Sequence, residues 1–168
     1  MPLVSMRQLL DHLGLQSFLK TTGGKGLHVV TPLEESKRQK ITWPTAKEFA
    51  QEVCLQMARD NPERFVVKMA KNVRAGRIFL DYLRNDRMAT AVGPLSPRAR
   101  PGATVSMPLT WAQVKADLDP KRFTVRSAPP LLGKTKPWAD YFDSGRPLGE
   151  AIQRLGKTRA AARVANAM

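Results

Sequence analysis

Thr21-Thr22-Gly23-Gly24-Lys25-Gly26-Leu27-His28-Val29-Val30 sets three glycines, a lysine and a histidine between two apolar runs. Glycine admits positive φ and lets backbone N–H groups come close to a ligand. Such groups beside a lysine suit the oxygens of a phosphate. Ser17–Thr21 reads as a short strand entering the turn, and Leu27–Leu33 as a second strand leaving it, weakened near its end by Pro32. The pair makes a hairpin folded about Gly23-Gly24, with His28 on its outgoing strand. The turn is not a P-loop, because Gly24-Lys25 is followed by Gly26 where that motif needs Ser or Thr. A phosphate grip and a plain tight turn both remain open at this point.

Upstream, Met6, Leu9, Leu10 and Leu13 recur at helical spacing over Val4–Leu13, and Gly14 can close that helix. Downstream, Glu34–Lys40 is a polar connection. Pro44 and the Thr45/Glu48 capping spacing announce a second helix. Its apolar stripe is Ala46, Phe49, Ala50, Val53, Cys54, Met57 and Ala58, and Asn61-Pro62 stops it. Cys54 sits on the stripe and reads as core packing. It is the sole cysteine, so neither an internal disulfide nor a cysteine metal site can form.

The chain has 168 residues, enough for one domain with a real core. Its 28 Lys+Arg against 14 Asp+Glu give a net charge of +14, which favours a polyanionic partner such as nucleic acid. A basic face that is only solvated, or that docks on acidic lipid, is the plainer alternative. The sequence shows no signal peptide and no run long enough to span a bilayer, and the expected location is the cytoplasm, in association with the nucleoid.

Phe65–Met69 and Arg77–Leu83 read as strands separated by the turn-like Asn72–Gly76. In the second, Ile78, Leu80 and Tyr82 face one way while Phe79, Asp81 and Leu83 face the other. Asp81 is then a carboxylate in mid-strand, where aspartate is disfavoured. It either pairs with Arg77 or Arg84 at a sheet edge, or serves as a metal ligand or catalytic acid. Between Arg64 and Arg100 there are nine basic residues and two acidic ones, Asp81 and Asp86.

Met88–Val92 reads as another strand, Gly93–Gly102 as a loop dense in Pro and Arg, and Thr110–Leu118 as a short helix with a Thr110/Gln113 capping spacing. Phe123–Arg126 is a strand, and Pro129-Pro130, Gly133 and Lys134–Pro137 break regular structure. Small helices follow at Trp138–Phe142 and Leu148–Leu155. The basic, alanine-rich tail from Lys157 is compatible with helix and is expected to be mobile at its end. Asp117 and Asp119, two apart, would share a face on a strand; at a helix end they are a solvated pair. His12 is isolated in the first helix.

Three stretches together resemble the primase-polymerase domain of bacterial DNA ligase D, of the archaeo-eukaryotic primase superfamily. Thr22–Val29 is similar to its Ser/Thr-Gly-x-Lys-Gly-x-His motif. Lys71-Asn72-Val73-Arg74-Ala75-Gly76-Arg77-Ile78-Phe79-Leu80-Asp81-Tyr82-Leu83-Arg84-Asn85 is similar to the next motif, which carries a metal-binding aspartate. Ser96-Pro97-Arg98-Ala99-Arg100, followed by Pro108-Leu109-Thr110-Trp111, is similar to a third. Order and spacing hold from about Leu9 to about Leu132.

The resemblance implies an α/β fold, a mainly antiparallel sheet with flanking helices. It implies template-dependent nucleotidyl transfer with Mn2+ or Mg2+ at DNA ends during non-homologous end joining, using nucleoside triphosphates. Asp81 would be a catalytic, metal-binding carboxylate. Thr22, Lys25, Gly26, His28 and Arg98 would contact nucleotide phosphates, and Arg74 would place template or primer. The family's Asp-x-Asp motif has no counterpart upstream of the glycine turn here, nor has its basic pocket for a 5′ phosphate. The expectation is therefore the C-terminal part of such a domain over residues 1–155, a basic tail over 156–168, and no activity for the chain alone. The implied partners are a ligase domain, a Ku-type end-binding protein, or a missing N-terminal half supplied in trans. The alternative is a non-catalytic remnant that binds DNA or nucleotide.

Overall fold

A computed structural model describes residues 2–35 and 40–165. In chain order the elements are α1 (Pro2–His12), β1 (Phe18–Thr21), β2 (Leu27–Val30), β3 (Leu33–Glu34), α2 (Trp43–Asp60), β4 (Phe65–Val66), β5 (Ile78–Phe79), β6 (Pro108–Leu109), α3 (Pro129–Leu132), β7 (Arg146–Pro147) and α4 (Leu148–Ala165). The fold is α/β, with an antiparallel sheet and helices. The chain divides into two compact units. One comprises residues 1–14, 34–90 and 147–168, the other residues 15–33 and 91–146.

The helical unit is built on α2. Its N-cap is Thr42, whose hydroxyl accepts from Thr45 N–H at 3.2 Å, so the cap stands three residues before the Thr45 that the spacing favoured. Pro44 then falls in the first turn, where its missing N–H costs nothing. Phe49, Val53, Cys54 and Met57 are buried, as the stripe requires. Cys54 and Met57 pack with Phe65 and Leu80, and Met6, Leu9 and Tyr82 lean on the same cluster. Burial and the nearby Asp81 push the Cys54 thiol up to about 12. Two residues past the end of α1, Gly14 adopts φ 81 and closes the helix.

After α2 the expected strands are much shorter. β4 and β5 have two residues each and pair in parallel, Phe65 opposite Ile78 and Val66 opposite Phe79. Asp81 is therefore not in a strand. Its Oδ1 accepts Leu83 N–H at 3.0 Å, and Asp86 Oδ1 accepts Met88 N–H at 3.1 Å. These carboxylates bond the backbone two residues on, which turns the chain where alternation suggested extension. Met88–Val92 forms no strand for the same reason, and Ile78 is exposed rather than sharing a buried face with Leu80. Helix α4 runs through Leu155 to Ala165, so the tail is largely helical; its last three residues, and Ser36–Gln39 of the polar connection, lie outside the described residues.

The second unit holds a three-stranded antiparallel sheet, β2-β1-β6. The hairpin register sets Lys20 opposite His28 and Thr21 opposite Leu27, while Leu19 lies opposite Leu109 on the other side. All four β1 residues are buried. Phe18 packs against Trp138 and Tyr141, whose rings stack at 4.9 Å. The indole N–H groups of Trp111 and Trp138 donate to the carbonyls of Ser17 and Leu19.

The helix expected over Thr110–Leu118 is a single 3-10 turn, Trp111–Gln113, although its capping box forms. Phe123–Arg126 contributes one bridge, Thr104 to Thr124, rather than a strand, because Ser127 and Thr124 bond each other's backbone and curl the chain. Pro129-Pro130 begins α3 instead of breaking structure, since proline fits a first helical turn. Trp138–Phe142 is a run of turns. Asp119 caps another 3-10 turn by accepting Lys121 N–H at 2.9 Å, and Asp117 is exposed, which leaves no carboxylate pair there.

Candidate functional site

The glycine turn is closed mainly by Thr22. Its N–H and its hydroxyl each donate to the Gly26 carbonyl at 3.0 Å, and the same hydroxyl accepts Gly24 N–H at 3.2 Å. Gly23 adopts φ 64, a region that costs an L-residue with a Cβ roughly 1–2 kcal/mol. Lys25 and Gly26 stand exposed at the tip.

The Pro-Arg loop is fastened beside this turn through the segment Thr104–Met107. On one side Thr21 Oγ1 donates to Val105 O at 2.9 Å, Ser106 Oγ donates to Thr21 O at 2.7 Å, and Met107 N–H donates to Thr21 Oγ1 at 2.8 Å. On the other, Arg98 N–H donates to Thr104 O at 2.8 Å and Ser106 N–H to Ser96 O at 3.0 Å. The result lays two arginines on the glycines. A Cβ at Gly23 would come within 2.5 Å of Arg98 Cγ, and one at Gly24 within 3.2 Å of Arg100 Nη1. Gly23 therefore has two reasons to lack a side chain, its φ and the close approach of Arg98.

Beneath the turn lies Lys20, 4% exposed. Its ammonium reaches Val92 O at 2.6 Å, Ser106 Oγ at 3.2 Å and His28 Nδ1 at 3.2 Å. Burial draws its pKa below the ordinary lysine value. Among the described residues no ion pair involves Lys20, Lys25, Arg98 or Arg100. Uncompensated cations of this density suit an anion of several charges.

Asp81 and Arg74 belong to the other unit. Asp81 Oδ2 pairs with Arg84 Nε at 3.3 Å and its other oxygen holds Leu83 N–H, with the side chain 35% exposed. Of the two arginines that sequence offered as partners, Arg84 is the one that pairs with Asp81. Arg74 folds back on its own loop. Its guanidinium carbon lies 3.8 Å above the Phe79 ring, one Nη donates to Met69 O, and its buried Nε has no partner among the described residues. Among the described residues no group of three His, Cys, Asp or Glu could hold a metal ion. Among the described residues, then, Asp81 has no neighbouring carboxylates with which to complete a two-metal centre.

Within the second unit, then, the structure joins the glycine turn, His28 and Arg98. Sequence reasoning missed Lys20 and Arg100 as members of this cluster. Lys20 carried one signal, since a lysine inside an apolar strand needs a partner. A hairpin folded about Gly23-Gly24, however, sets it opposite Leu27, whereas the register formed is centred on Gly24 and sets it opposite His28.

Residues 4–138 match the family described as LigD, primase-polymerase domain. The chain belongs to that family. It is 40% identical over 153 residues to the multifunctional non-homologous end joining protein LigD of Pseudomonas aeruginosa, covering 89% of this chain and 18% of that protein. It is 28% identical over 155 residues to the bifunctional non-homologous end joining protein LigD of Bacillus subtilis, covering 90% of this chain and 25% of that protein. Among solved structures it resembles the polymerase domain of Mycobacterium tuberculosis ligase D in complex with DNA. The TM-score is 0.74 at 28% identity, over 87% of this chain and 49% of the other. The chain thus spans a quarter or less of these LigD relatives and about half of the solved polymerase domain. Among the described residues no helix is long and apolar enough to cross a membrane.

Proposed function

We propose that this chain is the nucleotide-gripping portion of a LigD-type polymerase module, serving template-dependent nucleotidyl transfer at DNA ends, and that alone it does not extend a primer. What supports the reading is the packing of Arg98 on Gly23, which gathers two of the family's motifs onto one turn. In this reading Lys25, Gly26, His28 and Arg98 contact the triphosphate, and Thr22 holds the turn in shape while lying against it. Arg74 places template or primer once it leaves Phe79. Asp81 is one carboxylate of a Mn2+ or Mg2+ set whose other members the described residues do not supply. Residues 1–155 form part of the polymerase domain and 156–168 a basic extension. The partners are DNA ends, nucleoside triphosphates, a ligase domain, a Ku-type end-binding protein and a polypeptide supplying the remaining carboxylates, with the cytoplasm and its nucleoid as the place of action.

Incubation of the purified chain with gapped duplex DNA, manganese and nucleotides tests this directly. No extension is expected from the chain alone, and extension is expected when the preceding part of a LigD polymerase domain is added. Robust extension by the chain alone would refute the reading.

A second reading, a non-catalytic binder of DNA or nucleotide, is favoured by one observation: both Asp81 oxygens are engaged within their own loop. Asp81→Ala in the two-part mixture separates the readings. The first expects all synthesis to vanish; the second expects no synthesis to lose, with DNA affinity kept or raised.

A further inference from the structure

We propose that Lys20 is a positioning residue that sets the tautomer of His28, holding Nδ1 as an acceptor so that Nε2 carries the ring hydrogen and presents it to an oxyanion. The identity of that oxyanion as a nucleotide phosphate rests on the proposed function above; the tautomer does not.

The argument is an accounting of hydrogens. An ammonium has three to donate and none to accept with. Lys20 meets three acceptors, Val92 O at 2.6 Å, Ser106 Oγ at 3.2 Å and His28 Nδ1 at 3.2 Å. A carbonyl can only accept. The Ser106 hydroxyl sends its own hydrogen to Thr21 O at 2.7 Å, so it turns a lone pair toward Lys20. The third hydrogen is left for Nδ1, and an imidazole nitrogen accepts only when it bears no hydrogen. At 4% exposure Lys20 has little water to replace any of the three. The arrangement is also enforced by the fold, since the hairpin register sets Lys20 directly opposite His28. A bond to one ring nitrogen decides what the other can do. The buried lysine thereby acts on the anion through the histidine, as partners of ligating histidines do elsewhere.

The test is nitrogen NMR of the chain labelled with 15N-histidine. In the wild-type chain the His28 ring is expected as the Nε2–H tautomer, shifting toward a mixture in Lys20→Met. A wild-type ring with its hydrogen on Nδ1 would overturn the proposal, and that reading needs no variant to fold.

ATP binding by calorimetry supplies the functional arm. Lys20→Met and His28→Ala are each expected to weaken binding roughly tenfold, as loss of a histidine's orienting partner commonly does. In the His28→Ala background Lys20→Met should then add nothing. Independent, additive losses would show that Lys20 acts otherwise than through His28. If the wild-type chain binds no ATP at all, the nucleotide reading falls while the tautomer result still decides this one.

Discussion

The glycine turn and the Asp81 loop each carry a motif of the same family, yet they are built differently. The turn rests on a buried strand, and its two-sided support from Thr21, Thr104 and Ser106 consists of buried hydrogen bonds. Its cations have no ion-pair partners among the described residues, whereas all five ion pairs recorded there lie in the unit that holds Asp81. The Asp81 loop is held by its own side chains, Asp81 on Arg84 and Arg74 on Phe79. One region keeps unbalanced charge in a fixed frame; the other neutralises its charge locally. A fixed, uncompensated cluster is ready for a polyanion without reorganisation, while Asp81 must give up a partner before it can serve one.

The sharpest test of that contrast is to remove the frame. Leu109, 1% exposed, packs against β1 from the strand opposite the hairpin. Leu109→Ala should cost about 3 kcal/mol, measured by urea unfolding, as buried leucine truncations do. A loss below about 1 kcal/mol would mean that the sheet under the turn is not the rigid support described. Next in size is Gly23→Ala. The φ of 64 costs roughly 1–2 kcal/mol for alanine, and the methyl would displace Arg98. ATP affinity should fall roughly tenfold, the size of one lost hydrogen bond to a charged group. Unchanged affinity would show that Arg98 does not need its seat on the turn.

The unequal construction also explains what could be read from sequence. The hairpin was legible because glycines, flanking apolar runs and a tight turn agree at every level. The α2 stripe was legible because 3.6-residue periodicity over eighteen residues leaves one buried face. The region from Phe65 to Val92 was not, because its order comes from side chains bonding nearby backbone, which alternation does not register. Asp81 looked like mid-strand for that reason. Arg100 was hidden in a different way: its place over Gly24 depends on the pairing of Pro97 with Val105, a contact with no local signature.

The smallest expected effect probes the other side of the comparison. Asp81→Asn keeps an oxygen for Leu83 N–H but removes the charge that faces Arg84. A partly exposed pair of this kind is worth about 1 kcal/mol or less, so thermal stability should hardly move, and ATP binding measured without divalent metal should stay within the error of measurement. The charge has a second reader in Cys54. Burial is the larger cause of its thiol rising to about 12, and Asp81 the smaller, so the variant should lower that value while leaving it above the ordinary 9.0. The sign of the linkage follows. As pH climbs from 9.0 toward about 12, the unfolded chain gives up its thiol proton before the native chain does, so native stability falls across that window. Asp81→Asn should make the fall shallower, and should make no difference to it in a Cys54→Ala background. An equal change in both backgrounds would mean that Asp81 acts through some other group. A loss of several kcal/mol from Asp81→Asn would show that this loop is framed as firmly as the glycine turn, and the contrast between the two regions would be gone.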